Sequence, residues 1–267
     1  MSSIKELVII SSPRSGTNFF CECVGALDAA TSYFEVLNPG GVYGVGDPGT
    51  LDALNAAFGT NATDARDADL VRGFRADPLA SIGILRDHIS ALDKTLLAYK
   101  IFPGQVTLAM MEKIINRDNV VVAQIVRRRL DVFISYEKAR TQNVWKNKST
   151  KNVLVEIDTN AFLTWARKID KWFADTGALV KQHNRPNKVW VYEDDINLPK
   201  AEVAGKIQSF MADNGLALNL TPETEKKRFS RQDSQIGPFK KIANGEELRQ
   251  ELRARGKYNY ALSAPLT

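Results

Sequence analysis

A three-layer α/β/α fold around a central, mainly parallel sheet is what this sequence predicts, and three observations predict it. The runs Leu7–Ile10 and Asn119–Val126 are short, rich in β-branched residues and almost unbroken in apolar character, as strands buried on both faces of a parallel sheet are. Longer stretches with helical periodicity alternate with such runs, the order expected of βαβ units. Both runs feed directly into small or basic turn residues and then into a helix-like stretch. Those turns fall at the carboxyl ends of strands, where open α/β sheets bind their ligands.

The first strand leads through Ser11-Ser12-Pro13-Arg14-Ser15-Gly16 into a helix from Thr17 to about Ala29. Tyr33-Phe34-Glu35-Val36-Leu37 fits the end of a second strand, beside the first. From Asn38 to Asp77 the chain is rich in Gly, Ala, Asp and Asn, with little regular pattern beyond a short helix near Leu51–Phe58. A loop of that length inside a compact domain is usually a lid or a binding loop. Residues 38–90 are therefore expected to form a variable lid or acceptor segment. Within it Gly44-Val45-Gly46-Asp47-Pro48-Gly49 has the G-x-G-x-x-G spelling, but no strand leads into it and Pro48 disturbs the turn, so no dinucleotide site is expected there.

Further strands are expected over Thr95–Phe102 and Lys188–Tyr192. Helices are expected over Gln105–Asn116, Leu130–Gln142, Thr159–Lys181, Lys200–Asn214 and Glu246–Arg255. In the longest of these, Phe162, Trp165, Ile169, Trp172 and Phe173 recur at helical spacing opposite Arg167, Lys168 and Lys171; such an aromatic stripe is a core face. A second irregular region, Thr221–Gly245, carries Lys226, Lys227, Arg228 and Arg231 and is expected to fold over a bound nucleotide. No internal repeat is visible, and a single domain over 1–267 is expected.

Composition narrows the class of function. With 267 residues, 44% hydrophobic and 25% charged, the chain can build one large core. The net charge of +5 suits a polyanionic ligand. No Lys/Arg tract with interleaved aromatics accompanies it, so nucleic acid is not an expected partner. Only Cys21 and Cys23 occur, and an i, i+2 pair on a helix points two ways, which favours core thiols over a disulfide or a metal pair. No apolar run is long enough to span a membrane and no leader-like segment opens the chain; a cytoplasmic protein is expected, with Asn61-Ala62-Thr63 an idle sequon.

The turn after the first strand carries the chemistry. Small hydroxyl residues and a glycine between strand and helix make a phosphate cradle: backbone N–H groups point inward and the positive end of the helix dipole lies behind them. A Walker loop needs G-x-x-x-x-G-K-[ST]. Here the loop is shorter, and its cation, Arg14, precedes Gly16.

Ser12-Pro13-Arg14-Ser15-Gly16-Thr17 after an amino-terminal strand resembles the 5′-phosphosulfate loop of the sulfotransferases that use 3′-phosphoadenosine 5′-phosphosulfate (PAPS). A second match follows the strand ending at Val126: an Arg at the strand end, Arg127, and a Ser eight residues on, Ser135, correspond to the family's 3′-phosphate motif, with Asp131 at an acidic position between them. Where the family commonly has Asn or Asp and then Pro, this chain has Arg128 and Arg129. The resemblance is nearest to the bacterial trehalose-sulfating type, and it implies a P-loop-like fold and a soluble enzyme that moves a sulfuryl group from PAPS to a hydroxyl of a small-molecule or carbohydrate acceptor. The desulfated product is 3′,5′-adenosine bisphosphate (PAP). It further implies cofactor-binding roles for Arg14, Ser15, Gly16, Thr17, Asn18, Arg127 and Ser135. No Walker-type Mg²⁺ ligand set accompanies the cradle, so no required metal is expected, and the oligomeric state, a homodimer among the options, stays open.

An alcohol acceptor needs a base. The resemblance assigns that role to Glu35, and the apolar flanks Phe34 and Val36 suit a carboxylate that takes a proton. Lys100, in Tyr99-Lys100-Ile101-Phe102 at the end of an apolar strand, is the second catalytic candidate, and Arg14 the third. His88 and His183 sit in charged or polar stretches and read as surface residues. Tyr192-Glu193-Asp194-Asp195 resembles a Tyr-Glu-Asp element of the family, with a structural or acceptor-side part. Two other readings remain: a P-loop-type nucleotide kinase, and a catalytically silent nucleotide-binding or scaffold protein. Convergence of Glu35 and Lys100 on the cradle would favour the transferase.

Overall fold

The computed structural model describes residues 4–142, 153–221 and 237–266. Five strands, β1 (Lys5–Ser11), β2 (Ala30–Ser32), β3 (Leu96–Ile101), β4 (Val120–Val126) and β5 (Asn187–Val191), form a sheet in the order β2-β3-β1-β4-β5. Every pairing is parallel. The central position of β1 follows from its sequence: apart from Glu6, its residues 7–10 are all apolar, and all are fully buried. Alternation along the strand sends Val8 and Ile10 into one core and Leu7 and Ile9 into the other.

Helices cover both faces. The first core is closed by α2 (Pro48–Phe58), α3 (Ala68–Ala76), α4 (Pro78–Ser90), α5 (Leu108–Ile115) and α7 (Thr159–Gln182). The second is closed by α1 (Thr17–Val24) and α8 (Lys200–Asp213), with Phe20, Trp190 and Phe210 in edge-to-face contact. A third apolar cluster joins α6 (Arg129–Gln142) and α7 to α9 (Gly245–Ala254) and α10 (Tyr258–Leu262). The aromatic stripe of α7 is core as expected: Phe162, Ile169, Trp172 and Phe173 are buried. Cys21 and Cys23 are buried and free, and burial pushes the Cys23 thiol up to about 12. Among the described residues no helix is long and apolar enough to cross a membrane.

Two expectations need correction. The second strand ends at Ser32, before Tyr33, and pairs with β3 rather than with β1. The Tyr33 N–H still donates to the Ala98 carbonyl at 2.8 Å and the Lys100 N–H to the Phe34 carbonyl at 3.0 Å, while the Phe34 N–H donates to the Tyr43 carbonyl at 3.2 Å, so the stretch after Ser32 stays beside β3 and also meets the Gly41–Gly44 loop. Gly44, at φ 106°, sits where a Cβ would lie 2.4 Å from the Phe34 nitrogen, so only glycine permits that approach. Residues 38–90 are also more regular than expected, since they hold α2, α3 and α4. Each of these helices is capped by an aspartate, Asp47, Asp67 and Asp77. Few apolar anchors hold them (Leu51, Leu54, Leu70, Phe74, Ile82, Leu85 and Ile89), which is why the polar composition concealed the pattern. Asp47 fills the start of α2 by accepting from Thr50 N–H at 2.9 Å, so the G-x-G-x-x-G spelling offers no phosphate site. Lys226, Lys227, Arg228 and Arg231 lie outside the described residues.

Candidate active site

The turn between β1 and α1 lies where strand order reverses, because β3 flanks β1 on one side and β4 on the other. That is the topological switch point of an open parallel sheet. Within the turn Arg14 (φ 72°) and Gly16 (φ 83°) are both left-handed, a conformation that costs a non-glycine residue roughly 1–2 kcal/mol. Such turns gather successive N–H groups into an anion-binding concavity. Among the described residues no side chain caps α1, and the first N–H groups of a helix have no partner within it. Ser15 is fully buried and its hydroxyl lies 3.0 Å from that of Ser12, which stiffens the loop from beneath.

The second motif closes on the first. Arg14 Nε donates to Ser135 Oγ at 2.9 Å, and Arg127 Nη1 donates to the Arg14 carbonyl at 3.0 Å. The strained backbone of Arg14 is thus held by Arg127, and its guanidinium is aimed by Ser135. Burial, with the charge of Arg127 second, holds the Arg14 pKa below its ordinary value. Two cations so close, in a cradle of N–H groups, are arranged for a polyanion. Arg127 stacks over the Tyr192 ring at 4.2 Å, while its buried Nε has no hydrogen-bond partner among the described residues. Tyr192 also lies against Gly16, where a Cβ would come within 2.6 Å of its ring.

The Tyr-Glu-Asp element therefore stands on the Arg127 side of the cradle. Its remaining contacts are structural: Asp195 Oδ2 accepts from Val191 N–H at 3.0 Å, and Lys206 pairs with Asp195 at 2.9 Å. Glu193 accepts from Arg128 N–H at 3.4 Å, and burial raises its pKa. The arginine triplet divides by role. Arg129 is buried, pairs with Asp170 at 2.8 Å and donates to the Ser263 and Ala264 carbonyls at 2.9 and 3.0 Å. It ties α6 to α7 and to the carboxyl-terminal segment. Arg128 is half exposed beside Glu193. Asp131, between the two motif positions, pairs with Lys241 at 3.3 Å, which anchors the chain entering α9.

Glu35 and Lys100 converge on the same cradle. Lys100, 1% exposed, reaches up from β3 between the Phe34 and Phe102 rings. Its Nζ donates to Thr17 Oγ1 at 3.3 Å and to Asn18 Oδ1, and pairs with Glu35 Oε1 at 3.3 Å. Asn38 Nδ2 and Gln105 Nε2 donate to Glu35 Oε2 at 2.7 and 3.1 Å. The carboxylate thus faces an ammonium and two amides, not the apolar company its sequence neighbours suggested, because Val36 turns into the first core while Phe34 packs against the second with its ring beside Lys100. Asn38 and Gln105 are the residues that sequence reasoning missed; neither carries a motif, and only the fold brings them to Glu35. His88 lies beside Gly49 near the start of α2, and His183 bonds Glu112 at 3.1 Å; neither contacts the cradle residues. Among the described residues no group of His, Cys, Asp and Glu is arranged to hold a metal.

Comparison with known proteins finds likeness at the level of structure. No protein-family model matches the chain, and no curated protein matches it by sequence. A solved structure described as a sulfotransferase domain from the curacin biosynthetic pathway superposes with a TM-score of 0.52 at 14% identity, over 95% of this chain and 99% of that one. A sulfotransferase domain from the Synechococcus PCC 7002 olefin synthase is similar at a TM-score of 0.48 and 15% identity, over 95% and 96% of the two chains. With a five-stranded parallel sheet, helices on both faces and full coverage by the first of these domains, the chain has the fold of the sulfotransferases.

Proposed function

We propose that this chain, as a single cytoplasmic domain, transfers a sulfuryl group from PAPS to a hydroxyl of a small-molecule or carbohydrate acceptor, in the manner of the trehalose-sulfating type. The observation that carries the reading is the convergence of Glu35 and Lys100 on the cradle that Arg14, Ser135 and Arg127 build. A silent binding protein has no need of a carboxylate–ammonium pair at that point. The kinase reading lacks a lysine after Gly16, where Thr17 stands. The fold neighbour comes from a biosynthetic pathway, which favours a small-molecule acceptor over a protein.

The residues divide the work as the reaction demands. Glu35 takes the proton of the acceptor hydroxyl as the new O–S bond forms. Arg14 and the N–H groups of Ser15, Gly16, Thr17 and Asn18 meet the negative charge that builds on the departing PAP as its S–O bond breaks, which is where fixed positive dipoles lower a barrier most. Lys100 bridges the base and the cradle and neutralises the sulfuryl oxygens between them. Arg127, with an unsatisfied buried N–H, holds the 3′-phosphate, and Ser135 keeps Arg14 in place. The residues at hand supply these charges without a metal, and two such chains are free to pair as a homodimer.

PAP binding by calorimetry and transfer of radiolabelled sulfuryl from PAPS to trehalose, glucose and para-nitrophenol test the reading together. Arg127→Ala should weaken PAP about 10- to 100-fold and ADP far less, as loss of a charge-assisted bond to phosphate requires. Glu35→Gln should lower transfer about 10²- to 10⁴-fold and leave PAP affinity intact. Absence of PAP binding in the wild-type chain would refute the proposal.

A further inference from the structure

The two oxygens of Glu35 are not equivalent. Oε2 accepts from Asn38 Nδ2 at 2.7 Å and from Gln105 Nε2 at 3.1 Å, while Oε1 faces Lys100 Nζ at 3.3 Å. A carboxylate oxygen has two lone-pair sites. Two N–H donors fill those of Oε2, and one ammonium leaves a site on Oε1.

Both amides are themselves fixed. Gln105 is 6% exposed, and its Oε1 accepts from Phe102 N–H at 2.9 Å. That bond determines which end of the amide is oxygen, so Nε2 must be the end that donates to Glu35. The Gln105 carbonyl accepts from Arg75 Nη1 at 3.3 Å, and the same atom donates to the Leu37 carbonyl at 2.7 Å. Arg75, on α3, therefore ties the loop after β3 to the loop that carries Glu35. Asn38 is oriented likewise: its Oδ1 accepts from Gly40 N–H at 2.8 Å, which turns Nδ2 toward the carboxylate.

We propose that Gln105 and Asn38 are positioning residues that occupy Oε2 of Glu35 and so dedicate Oε1, on the Lys100 side, to taking the acceptor proton. The inference rests on the reading of Glu35 as base. In the step it describes, the hydroxyl proton passes to Glu35 Oε1 as the acceptor oxygen bonds to sulfur, and the bridging S–O bond electrons leave with PAP. Among the described residues the carboxylate is also faced by Lys100 from β3 and the buried Cys21 thiol from α1, while Arg75 from α3 has its Nη1 bonded to the Leu37 and Gln105 carbonyls. The two amides are thus the neutral donors that set how firmly Oε2 is held.

The test measures turnover of PAPS, as transfer to the probe acceptors with kcat and KM resolved and as sulfate released to water, beside PAP affinity. In Gln105→Met, which keeps length but cannot donate, Oε2 of Glu35 loses one of its two fixed donors. Turnover should fall about 10- to 100-fold with PAP affinity unchanged. In a Glu35→Gln background the same change should cost no further turnover, because residues that act through one group are not additive. Asn38→Ala, which removes a side chain bonded among the described residues to Glu35 and Gly40, should lower kcat in the same sense and covers the case in which Gln105→Met folds poorly. Unchanged kcat in both variants, or a turnover loss that adds in full to that of Glu35→Gln, would overturn the positioning role. Normal turnover in Glu35→Gln alone would instead overturn the base assignment.

Discussion

Replacing Lys100 by Met removes a charge at the junction of base and cradle while keeping most of the side chain's volume. Two losses follow. Glu35 Oε1, Thr17 Oγ1 and Asn18 Oδ1 each lose their contact with Nζ, and the carboxylate is left without its counter-charge. Removing one partner of a fully buried ion pair costs about 3–5 kcal/mol. The Glu35 side chain keeps 22% of its exposure, and water screens it, so the expected loss of stability is nearer roughly 2–3 kcal/mol. At an m-value of about 2–3 kcal/mol/M that is a fall of about 1 M in the urea midpoint. Transfer should fall by more than about 100-fold, since a bond to a charged group contributes roughly 1.5–3 kcal/mol and here stabilises developing charge. PAP affinity should change little, because Arg127 and the N–H groups of the cradle remain. The decisive comparison is the double variant Lys100→Met with Glu35→Gln, in which neither charge is left orphaned. Its urea midpoint should lie above that of Lys100→Met alone, whereas its turnover should stay low. Additive losses of stability in the double variant would refute the pairing, and wild-type turnover in Lys100→Met would remove Lys100 from the catalytic machinery.

Three further expectations concern the surroundings of the site. Gly16→Ala places a methyl group 2.6 Å from the Tyr192 ring at φ 83°, so it should displace the ring that supports Arg127 and weaken PAP at least about 10-fold, at a backbone strain of roughly 1–2 kcal/mol; unchanged PAP affinity by calorimetry would contradict this. Arg129→Met orphans Asp170 and the Ser263 and Ala264 carbonyls, so it should cost about 3 kcal/mol in urea unfolding yet leave PAP affinity as it is, the reverse of Arg127→Ala. Glu193 has a native pKa raised above its ordinary 4.5 by burial, so between the two values the folded state holds a proton that the unfolded state has released, and stability falls as pH rises through that range. Glu193→Gln lacks this loss, and its stability advantage in urea unfolding should grow from about pH 4 upward; a pH-independent difference would show that the carboxyl does not titrate as described.

How much of this was legible in the chain depends on the range of the interaction involved. Leu7–Ile10 and Val120–Val126 announce themselves because a strand buried on both faces must be apolar at every position, and the cradle because a tight turn before a helix restricts residue types locally. Arg127 and Ser135 are set by one helix of known pitch, so their spacing is visible too. Local rules of this kind placed β1, β3, β4, α7 and the turn from Ser12 to Thr17 between β1 and α1. Residues 38–90 were less legible, since aspartate caps and a few apolar anchors hold α2, α3 and α4 against the sheet from a distance. The end of β2 at Ser32 was likewise hidden, because the Phe34 N–H is taken up by the Tyr43 carbonyl, from a loop farther along the chain.

The sequence by itself determined the parallel sheet and the turn after β1 with the basic residues beside it, because each of these is dictated by residues close to one another in the chain. Only the tertiary structure decided what those residues face. It joined Arg14 to Ser135 across 121 positions and Lys100 to Glu35 across the β2–β3 edge. It also withdrew Arg129 into the packing of α7 and α10 and gave Glu35 the amides of Asn38 and Gln105 in place of an apolar wall. The physical reason is that a side chain's charge and hydrogen-bonding capacity are written in its chemistry, whereas its partners are chosen by strand order and by which loops meet at the carboxyl edge of the sheet.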